Sequence, residues 1–230
     1  MRTITIAAYR RPEYLQQVLE SLTEAERYCP EFKPDHIIIG IDSGTGLEVH
    51  ADESDIEVIY WPEHLGVNEH PRRLLQYAFM ELGSDFNLHL EDDTVLSPDA
   101  LRLAMWFQRT PTPAITLSLY SPSKAVAENE VVRYRQDFGA WGWCCTRAVW
   151  LRLLAPYWNY KRDLPIGWDW SISKLMAEKG LRAIEPALSR VRNIGREKGT
   201  YQTPEGYDRD FAGQTWAGIE HMQEIGDFRL

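Results

Sequence analysis

The chain has 230 residues, 44% of them hydrophobic and 12% aromatic, which is enough apolar material for one sizeable core. Its formal net charge of -9 argues against nucleic acid or an anionic membrane as the main partner. The three cysteines, Cys29, Cys144 and Cys145, are odd in number and two of them are adjacent, which argues against a disulfide framework and favours a reducing, cytoplasmic location. The sequence has no run of roughly 18 or more apolar residues, so it predicts no membrane-spanning helix.

The first half of the chain alternates predicted strands with predicted helices. Apolar runs predict strands over residues 3–8, 36–41, 56–60 and 86–90, and helical spacing predicts helices over 12–27 and within 68–82. This alternation predicts an α/β fold with a doubly wound, mostly parallel sheet. Ligands of such sheets gather at the carboxyl ends of the strands, where Arg10, Arg11, Asp42 and an acidic cluster follow in this sequence.

The second half is less regular. Ser97 is expected to cap a helix that has Pro98 at its first position and runs to about Gln108. Strands are predicted over 114–119 and 131–135, and helices over 146–154 and 168–179. From Arg192 onward, glycines punctuate a polar sequence, which predicts a long loop and a weak terminal helix.

Three acids, Glu91, Asp92 and Asp93, directly follow the predicted strand 86–90. Adjacent carboxylates repel, so the cluster costs stability unless a cation or hydrogen-bond donors offset it. A divalent cation such as Mn²⁺ or Mg²⁺ takes oxygen ligands of this type. Strand alternation would direct Asp93 and Glu91 one way and Asp92 the other until the chain turns at Thr94. The alternative is a solvated strand end that also caps a helix.

Asp169 lies between Trp168 and Trp170 at a predicted helix start. The two rings would raise the proton affinity of its carboxylate and backbone N–H groups would lower it, a balance that suits a general base. The alternative is an acid that only complements the helix dipole, with both tryptophans in the core.

Two further segments have both functional and structural interpretations. In FGAWGWCC, small residues between large rings could let a sugar stack on Trp141 or Trp143, or the segment could be a packed strand with a glycine bulge. Arg196 and Lys198 could belong to a lid that carries positive charge to a pyrophosphate, or to plain flexible surface. The histidines and cysteines show neither HxxxH nor CxxC spacing, which disfavours zinc.

Six segments in this order resemble the N-acetylglucosaminyltransferase I family of inverting glycosyltransferases, which includes the enzyme that acts on protein O-mannose. The segments, which extend over nearly the whole chain, are AAYRRPEYLQQVLESL, HPRRLLQYAF, HLEDDTVLSPDA, FGAWGWCCTRAVW, GWDWS and LSRVRNIGREKG. HLEDDTVLSPDA is similar to the Glu-Asp-Asp metal motif of the family, and GWDWS to its Trp-Asp catalytic segment. The resemblance implies a glycosyltransferase A-type fold.

The resemblance also implies roles for individual residues. Asp93 would bind Mn²⁺ directly, Asp169 would be the catalytic base and Trp168 would shape the acceptor side. The residues implied to bind the donor are Asp92 at the nucleotide or sugar, Glu91 in the sugar pocket, Arg11 (or Arg10), Asp42 and His70 at uridine, and Arg196 and Lys198 on a loop over the donor. In this sequence Trp170 follows Asp169, so Asp169 is the single candidate base.

We therefore expect one glycosyltransferase domain over residues 1–230, with a nucleotide-sugar half (1–110) and an acceptor and base half (111–230). The expected reaction is metal-dependent, inverting transfer of a sugar, with GlcNAc as the first candidate, from a UDP-sugar to a carbohydrate acceptor. One alternative is a nucleotide-sugar or carbohydrate-binding protein without catalysis. The other is a sugar-nucleotide nucleotidyltransferase, which is expected to carry a glycine-rich loop after the first strand, where this chain has AAYRRPEY.

Overall fold

A computed structural model of the protein describes residues 1–44, 46–49, 56–123, 128–159, 167–197, 203–211, 214, 216 and 227–230. The strands are β1 (Arg2–Ala8), β2 (His36–Ile41), β3 (Ile56–Tyr60), β4 (Phe86–Glu91), β5 (Thr94–Leu96), β6 (Thr116–Ser118), β7 (Val132–Arg135), β8 (Trp143–Thr146), β9 (Ala183–Pro186) and β10 (Val191–Asn193). The helices are α1 (Pro12–Tyr28), α2 (Gly66–Gln76), α3 (Ala100–Arg109), α4 (Arg147–Val149), α5 (Ala155–Tyr157), α6 (Trp168–Lys179) and α7 (Pro204–Phe211). Wider, π-type turns extend α2 over Tyr77–Glu81 and join α4 to α5 over Trp150–Leu154.

Eight strands form one sheet in the order β3-β2-β1-β4-β8-β6-β9-β7. The pairings β3–β2, β2–β1, β1–β4 and β6–β9 are parallel, whereas β8 is antiparallel to β4 and β6, and β7 to β9. The predicted doubly wound, mostly parallel α/β sheet is confirmed. The chain builds outward from β1 to β3 and then crosses back to place β4 on the other side of β1, so a crevice is expected at the carboxyl ends of β1 and β4.

A ladder of buried polar side chains joins β1 to β4. Thr3 Oγ1 donates to Asn87 Oδ1 at 2.7 Å, Asn87 Nδ2 donates to Thr5 Oγ1 at 2.9 Å, and Thr5 Oγ1 lies 2.9 Å from His89 Nδ1. The opposite side of the same strands is apolar and belongs to the main core, with Ile4 and Leu88 among its residues. The period of two in TITI and NLHL therefore separates a buried polar side from a buried apolar side.

The start of α3 differs from the prediction. The helix begins at Ala100, with Asp99 in the N-cap position, rather than at Pro98 after a Ser97 cap. Ser97 Oγ donates to Asp99 Oδ1 at 2.8 Å, and Asp99 Oδ2 accepts a hydrogen bond from Arg190 Nε at 2.8 Å. Ser97 is thus occupied with the Asp99 carboxylate, which is itself held by a buried arginine.

Several short elements were not predicted. β10 lies in the sequence assigned to a long loop, and it pairs antiparallel with β5, which directly follows the acids. The predicted helix over 146–154 begins at Arg147 and widens to the π-type turn at Trp150. Strands of three residues are too short to show a period, so only their partners define them. Within the described residues, no helix is long and apolar enough to cross a membrane.

Candidate active site

A cleft of about 1340 Å³ opens at the carboxyl ends of β1, β2 and β4. It lies at the sheet edge where the strand order reverses, as expected for a ligand site of this architecture. The sequence-predicted residues that line it are Arg11, Asp42, His70, Glu91, Asp92, Asp93, Trp141, Trp168 and Asp169. Residues from both halves of the chain therefore meet in one cleft.

Asp92 and Asp93 converge on the guanidinium of Arg11. Arg11 Nη1 donates to Asp93 Oδ2 at 2.7 Å, and Arg11 Nη2 donates to Asp92 Oδ1. Strand alternation predicted opposite directions for these two acids, which is wrong because β4 ends at Glu91 and the chain turns at Asp92 and Asp93 rather than at Thr94. Arg10 has a φ of 63° and stacks its guanidinium over Tyr9 at 4.5 Å, so Arg11 is the arginine that contacts the acids.

The acids are held in an environment that disfavours their ionised forms. Burial, followed by the charges of Asp93 and Asp92, raises the pKa of Glu91 to about 8. Burial also raises the pKa of Asp92 to about 7 and that of Asp93 in the same direction, although Arg11 opposes both shifts. Among the described residues, Arg11 hydrogen-bonds to two of these three carboxyl groups, and the raised pKa values mean that the cluster holds protons near neutral pH that a bound cation would replace.

Asp42 lines the cleft directly after the end of β2. Its carboxylate accepts backbone N–H bonds from Ser43 and Leu65 at 2.8 Å and from Gly66 at 2.9 Å, and it lies 2.9 Å from His64 Nδ1. Burial would raise the pKa of Asp42, but the backbone donors, chiefly Leu65 and Gly66, outweigh it and lower the pKa. Asp42 is therefore an ionised, rigidly held acceptor.

His70 lies beside Asp42 in α2 and is 4% exposed. Burial lowers its pKa to about 4, although the charge of Asp42 opposes the shift, so the ring is neutral near pH 7. Its Nε2 has no hydrogen-bond partner among the described residues. A Cβ on Gly40 would lie 2.8 Å from this nitrogen, so glycine is required for the close packing of β2 on His70.

Asp169 lies in the first turn of α6, on the same cleft as Asp93. Burial raises its pKa, and backbone N–H groups of the helix start oppose the shift. A Cβ on Gly167 would lie 2.5 Å from Asp169 Oδ1, so the preceding glycine leaves room for the carboxylate. The charge of Asp169 contributes to the raised pKa of Glu91, which indicates that the two acids share one electrostatic environment.

The tryptophans divide between the cleft and the core. Trp141 is half-buried and lines the cleft, whereas Trp143 is 1% exposed and packs among Phe138, Trp168 and His89. Trp143 is therefore not among the cleft-lining residues, because β8 turns its side chain into the core. Trp168 is also buried, stacked on Trp158 at 4.3 Å, and reaches the cleft only at its edge.

The structure does not bring Arg196 to the cleft lining. Its guanidinium pairs with Asp208 of α7 at 2.9 Å and with Glu197, on the exposed surface. The lid interpretation therefore has no supporting contact at Arg196, because these two acids already pair with its charge. Lys198 lies outside the described residues.

Sequence reasoning missed several residues of the cleft. Tyr9 donates its backbone N–H to Asp92 at 2.7 Å and stacks on His64 with ring centroids 5.1 Å apart. Asn193 Nδ2 lies 3.4 Å from Asp93 Oδ1, and a Cβ on Gly195 would lie 2.1 Å from Asp93 Oδ2. The glycine in the chain after β10 was visible as a possible close-approach position, but its partner was not.

The carboxylate oxygens at the cleft suit a hard divalent cation that substrate oxygens also coordinate. Within the described residues, no group of three or more His, Cys, Asp or Glu side chains is arranged around a single ion. Mg²⁺ and Mn²⁺ in phosphate-handling sites commonly take one or two carboxylates, with substrate phosphates and waters as the remaining ligands. Asp93 and Asp92 are buried carboxyl groups at the cleft and match that pattern.

No protein-family model matches the sequence. Among solved structures, the chain is similar to the mannosyltransferase PcManGT from Pyrobaculum calidifontis in complex with GDP-Man and Mn²⁺, with a TM-score of 0.54, 15% identity, and 80% of this chain and 54% of that chain covered. It is also similar to S. aureus TarS 1-349 in complex with UDP (TM-score 0.49, 12% identity, 83% and 59% covered) and with UDP-GlcNAc (0.38, 15%, 50% and 33%). The chain thus spans between a third and three fifths of these structures.

At these identities the likeness concerns the fold alone, and the mannosyltransferase has the highest TM-score of the three. The protein therefore has the nucleotide-diphospho-sugar transferase fold, of glycosyltransferase A type, with its candidate site at the reversal of strand order.

Proposed function

We propose that the protein is a metal-dependent, inverting glycosyltransferase that moves a sugar from a UDP-sugar to a carbohydrate acceptor hydroxyl, with UDP-GlcNAc as the first donor to test. The observation that carries this proposal is that Asp93 and Asp169, far apart in the sequence, line the same cleft. The sequence resemblance to the N-acetylglucosaminyltransferase I family supports it, because these are the residues that match the metal ligand and the base of that family.

The donor would bind across the carboxyl ends of β1 and β4. Asp42 would offer an acceptor and neutral His70 an imidazole nitrogen to the uracil edge, and Arg11, which hydrogen-bonds to Asp93, would be the third uridine contact. Asp93 would hold Mn²⁺ or Mg²⁺, which would neutralise charge on the leaving diphosphate, and Asp92 would contact the nucleotide or the donor sugar. Glu91 would line the sugar pocket.

Asp169 would take the proton from the acceptor hydroxyl as that oxygen attacks the anomeric carbon. Its burial raises its pKa and so makes the carboxylate a better proton acceptor. Attack on the face opposite the leaving diphosphate, in a single displacement, inverts the anomeric configuration. The α6 backbone holds the carboxylate in place, so the base needs little reorganisation.

We also propose that residues 1–230 act as one domain, with donor binding in 1–110 and acceptor binding and the base in 111–230. Support comes from the shared sheet, in which β4 pairs directly with β8. A lid role for the segment around Arg196 and Lys198 requires that Arg196 leave Asp208 on donor binding.

The test is UDP release from UDP-GlcNAc, UDP-Gal and UDP-Glc with a panel of saccharide acceptors, in Mn²⁺ and in EDTA. Asp169→Asn should lower kcat by about 10²- to 10⁴-fold while UDP binding by calorimetry stays unchanged. Asp93→Asn should remove the Mn²⁺ dependence of UDP binding, and Glu20→Gln, on the exposed side of α1, serves as the matched control. Tight binding of UDP with no transfer to any acceptor or water would instead support a binding protein.

A further inference from the structure

Trp170 is the one large aromatic ring at the cleft that remains mostly exposed among the described residues. Its side chain is 64% exposed, although it directly follows Asp169 in α6 and lines the same cleft. Its neighbour Trp168 is 2% exposed and stacked in the core. The helix thus presents one tryptophan inward, the candidate base into the cleft, and one tryptophan at the rim.

Trp141, the other cleft tryptophan, already has ring partners. Tyr120 and Phe211 pack on it in T-shaped arrangements, at centroid distances of 4.7 Å and 4.9 Å. No described aromatic ring packs on Trp170 in this way. Among the described residues, the indole of Trp170 therefore leaves most of its ring surface open beside the carboxylate that would deprotonate the acceptor.

The cleft has room for a second ligand beside a nucleotide sugar. Its volume of about 1340 Å³ exceeds the ~300–1,000 Å³ that is typical of sites for a single drug-sized ligand. Its lining includes the acids and Asp42 from the first half of the chain and Trp141, Asp169 and Trp170 from the second half.

The charged groups that the second half of the chain contributes to the cleft, among the described residues, disfavour an acidic ligand. Among the described residues of the second half, Arg135 is the cleft-lining cation, and its guanidinium forms an ion pair with Glu185 at 2.8 Å and donates to Asp137 at 3.2 Å. Asp169 adds a further carboxyl group. A neutral ligand with a flat apolar face, such as the C–H face of a pyranose ring, matches an exposed indole beside carboxylates.

We infer that Trp170 is the acceptor platform: the indole stacks on a neutral pyranose ring of the acceptor and so directs one of its hydroxyl groups to Asp169. This inference rests on the proposed function and specifies its acceptor class as a neutral saccharide. Trp170 positions substrate by direct contact and takes no part in proton transfer.

The test combines a binding measurement with kinetics. Saturation-transfer difference NMR on the full chain uses methyl α-mannoside, methyl β-galactoside and methyl β-N-acetylglucosaminide as neutral probes and methyl β-glucuronide as the acidic probe. Neutral pyranosides should bind the wild-type protein and Asp169→Asn through their ring C–H protons, and Trp170→Ala should lose that signal. With an active acceptor, Trp170→Ala should raise the acceptor KM about 10-fold, Trp170→Phe less, and leave the donor KM unchanged.

Tyr28→Ala, which removes a 48% exposed ring at the end of α1, is the matched control and should change neither measurement. Unchanged pyranoside binding in Trp170→Ala, no pyranoside binding by the wild type, or equal binding of the glucuronide would overturn the inference. If the wild type binds pyranosides through Trp170 but transfers no sugar from any donor, the proposed function fails while the platform stands.

Discussion

His89 provides a quantitative test of the buried polar ladder beneath the site. The residue lies in β4, is 0% exposed, and contacts Thr5 Oγ1 through Nδ1 at 2.9 Å. Burial, with a smaller contribution from His70, lowers its pKa from 6.5 to about 3. The folded protein therefore keeps this ring neutral at a pH where the unfolded chain protonates it.

The sign of the effect follows from that difference. Because the folded pKa lies below the unfolded one, the stability associated with neutral His89 is fully present above pH 6.5 and is lost as the pH falls towards 3. Each pH unit in this window costs about 1.4 kcal/mol, so between pH 7.5 and 4.5 the free energy of unfolding should lose about 3 kcal/mol through this group.

The measurement compares urea unfolding of the wild type and His89→Gln at pH 7.5 and 4.5. Glutamine can keep a hydrogen bond to Thr5 but does not titrate, so its fixed packing cost cancels between the two pH values. Other groups that titrate in this window, including Glu91 and Asp92, are common to both proteins and also cancel. When the pH falls from 7.5 to 4.5, the free energy of unfolding of the variant should therefore rise by about 3 kcal/mol relative to that of the wild type.

Thr3→Val is the control, because it disturbs the same ladder without removing a titratable group. Its effect on the free energy of unfolding should be the same at both pH values. A relative gain for His89→Gln of less than about 1 kcal/mol would show that His89 is protonated in the folded state, or is reached by water, and would refute the reasoning.

Three further predictions concern packing and binding. Gly195→Ala should weaken Mn²⁺-dependent UDP binding, measured by calorimetry, about 10-fold or more. The new Cβ would overlap Asp93 Oδ2 and force the carboxylate or the chain after β10 to move. Unchanged binding would contradict this close approach. Arg190→Met should lower the free energy of unfolding by about 3–5 kcal/mol, because it leaves Asp99 buried without its 2.8 Å partner. If the unpaired charge is the cause, the double variant with Asp99→Leu should recover most of this loss. Asp42→Ala should weaken UDP binding, because the backbone donors of Leu65 and Gly66 lose their acceptor, while binding of methyl pyranosides at α6 is retained. Equal loss of both ligands would indicate general unfolding of the site.

The parts of the fold that sequence reasoning predicted are those in which a local pattern extends over several residues. β2 is a run of apolar residues because both faces of the sheet are covered there, and α1 shows a clear apolar stripe. The acids after β4 and Asp169 at the start of α6 stood out because polar residues interrupt or open such patterns. The site was predictable to this extent because strand ends and helix starts are marked in the chain itself.

Tertiary structure alone decided which of the candidate site side chains contact one another. Trp141 and Trp143 have similar sequence surroundings, on either side of Gly142, and only the pairing of β8 with β4 places Trp143 in the core. His64 reaches Asp42, and Gly195 reaches Asp93, across long stretches of chain that no local period connects.

The amino-acid sequence by itself determined the fold class, the order of the main elements and the acids at their ends, because these depend on apolar periodicity and on the chemistry of chain termini within each element. Strand registry, the turn that brings Asp92 and Asp93 to Arg11, and the single cleft shared by Asp93 and Asp169 depend on contacts between distant segments. Such contacts are set by how whole surfaces pack together, a property that no single segment carries.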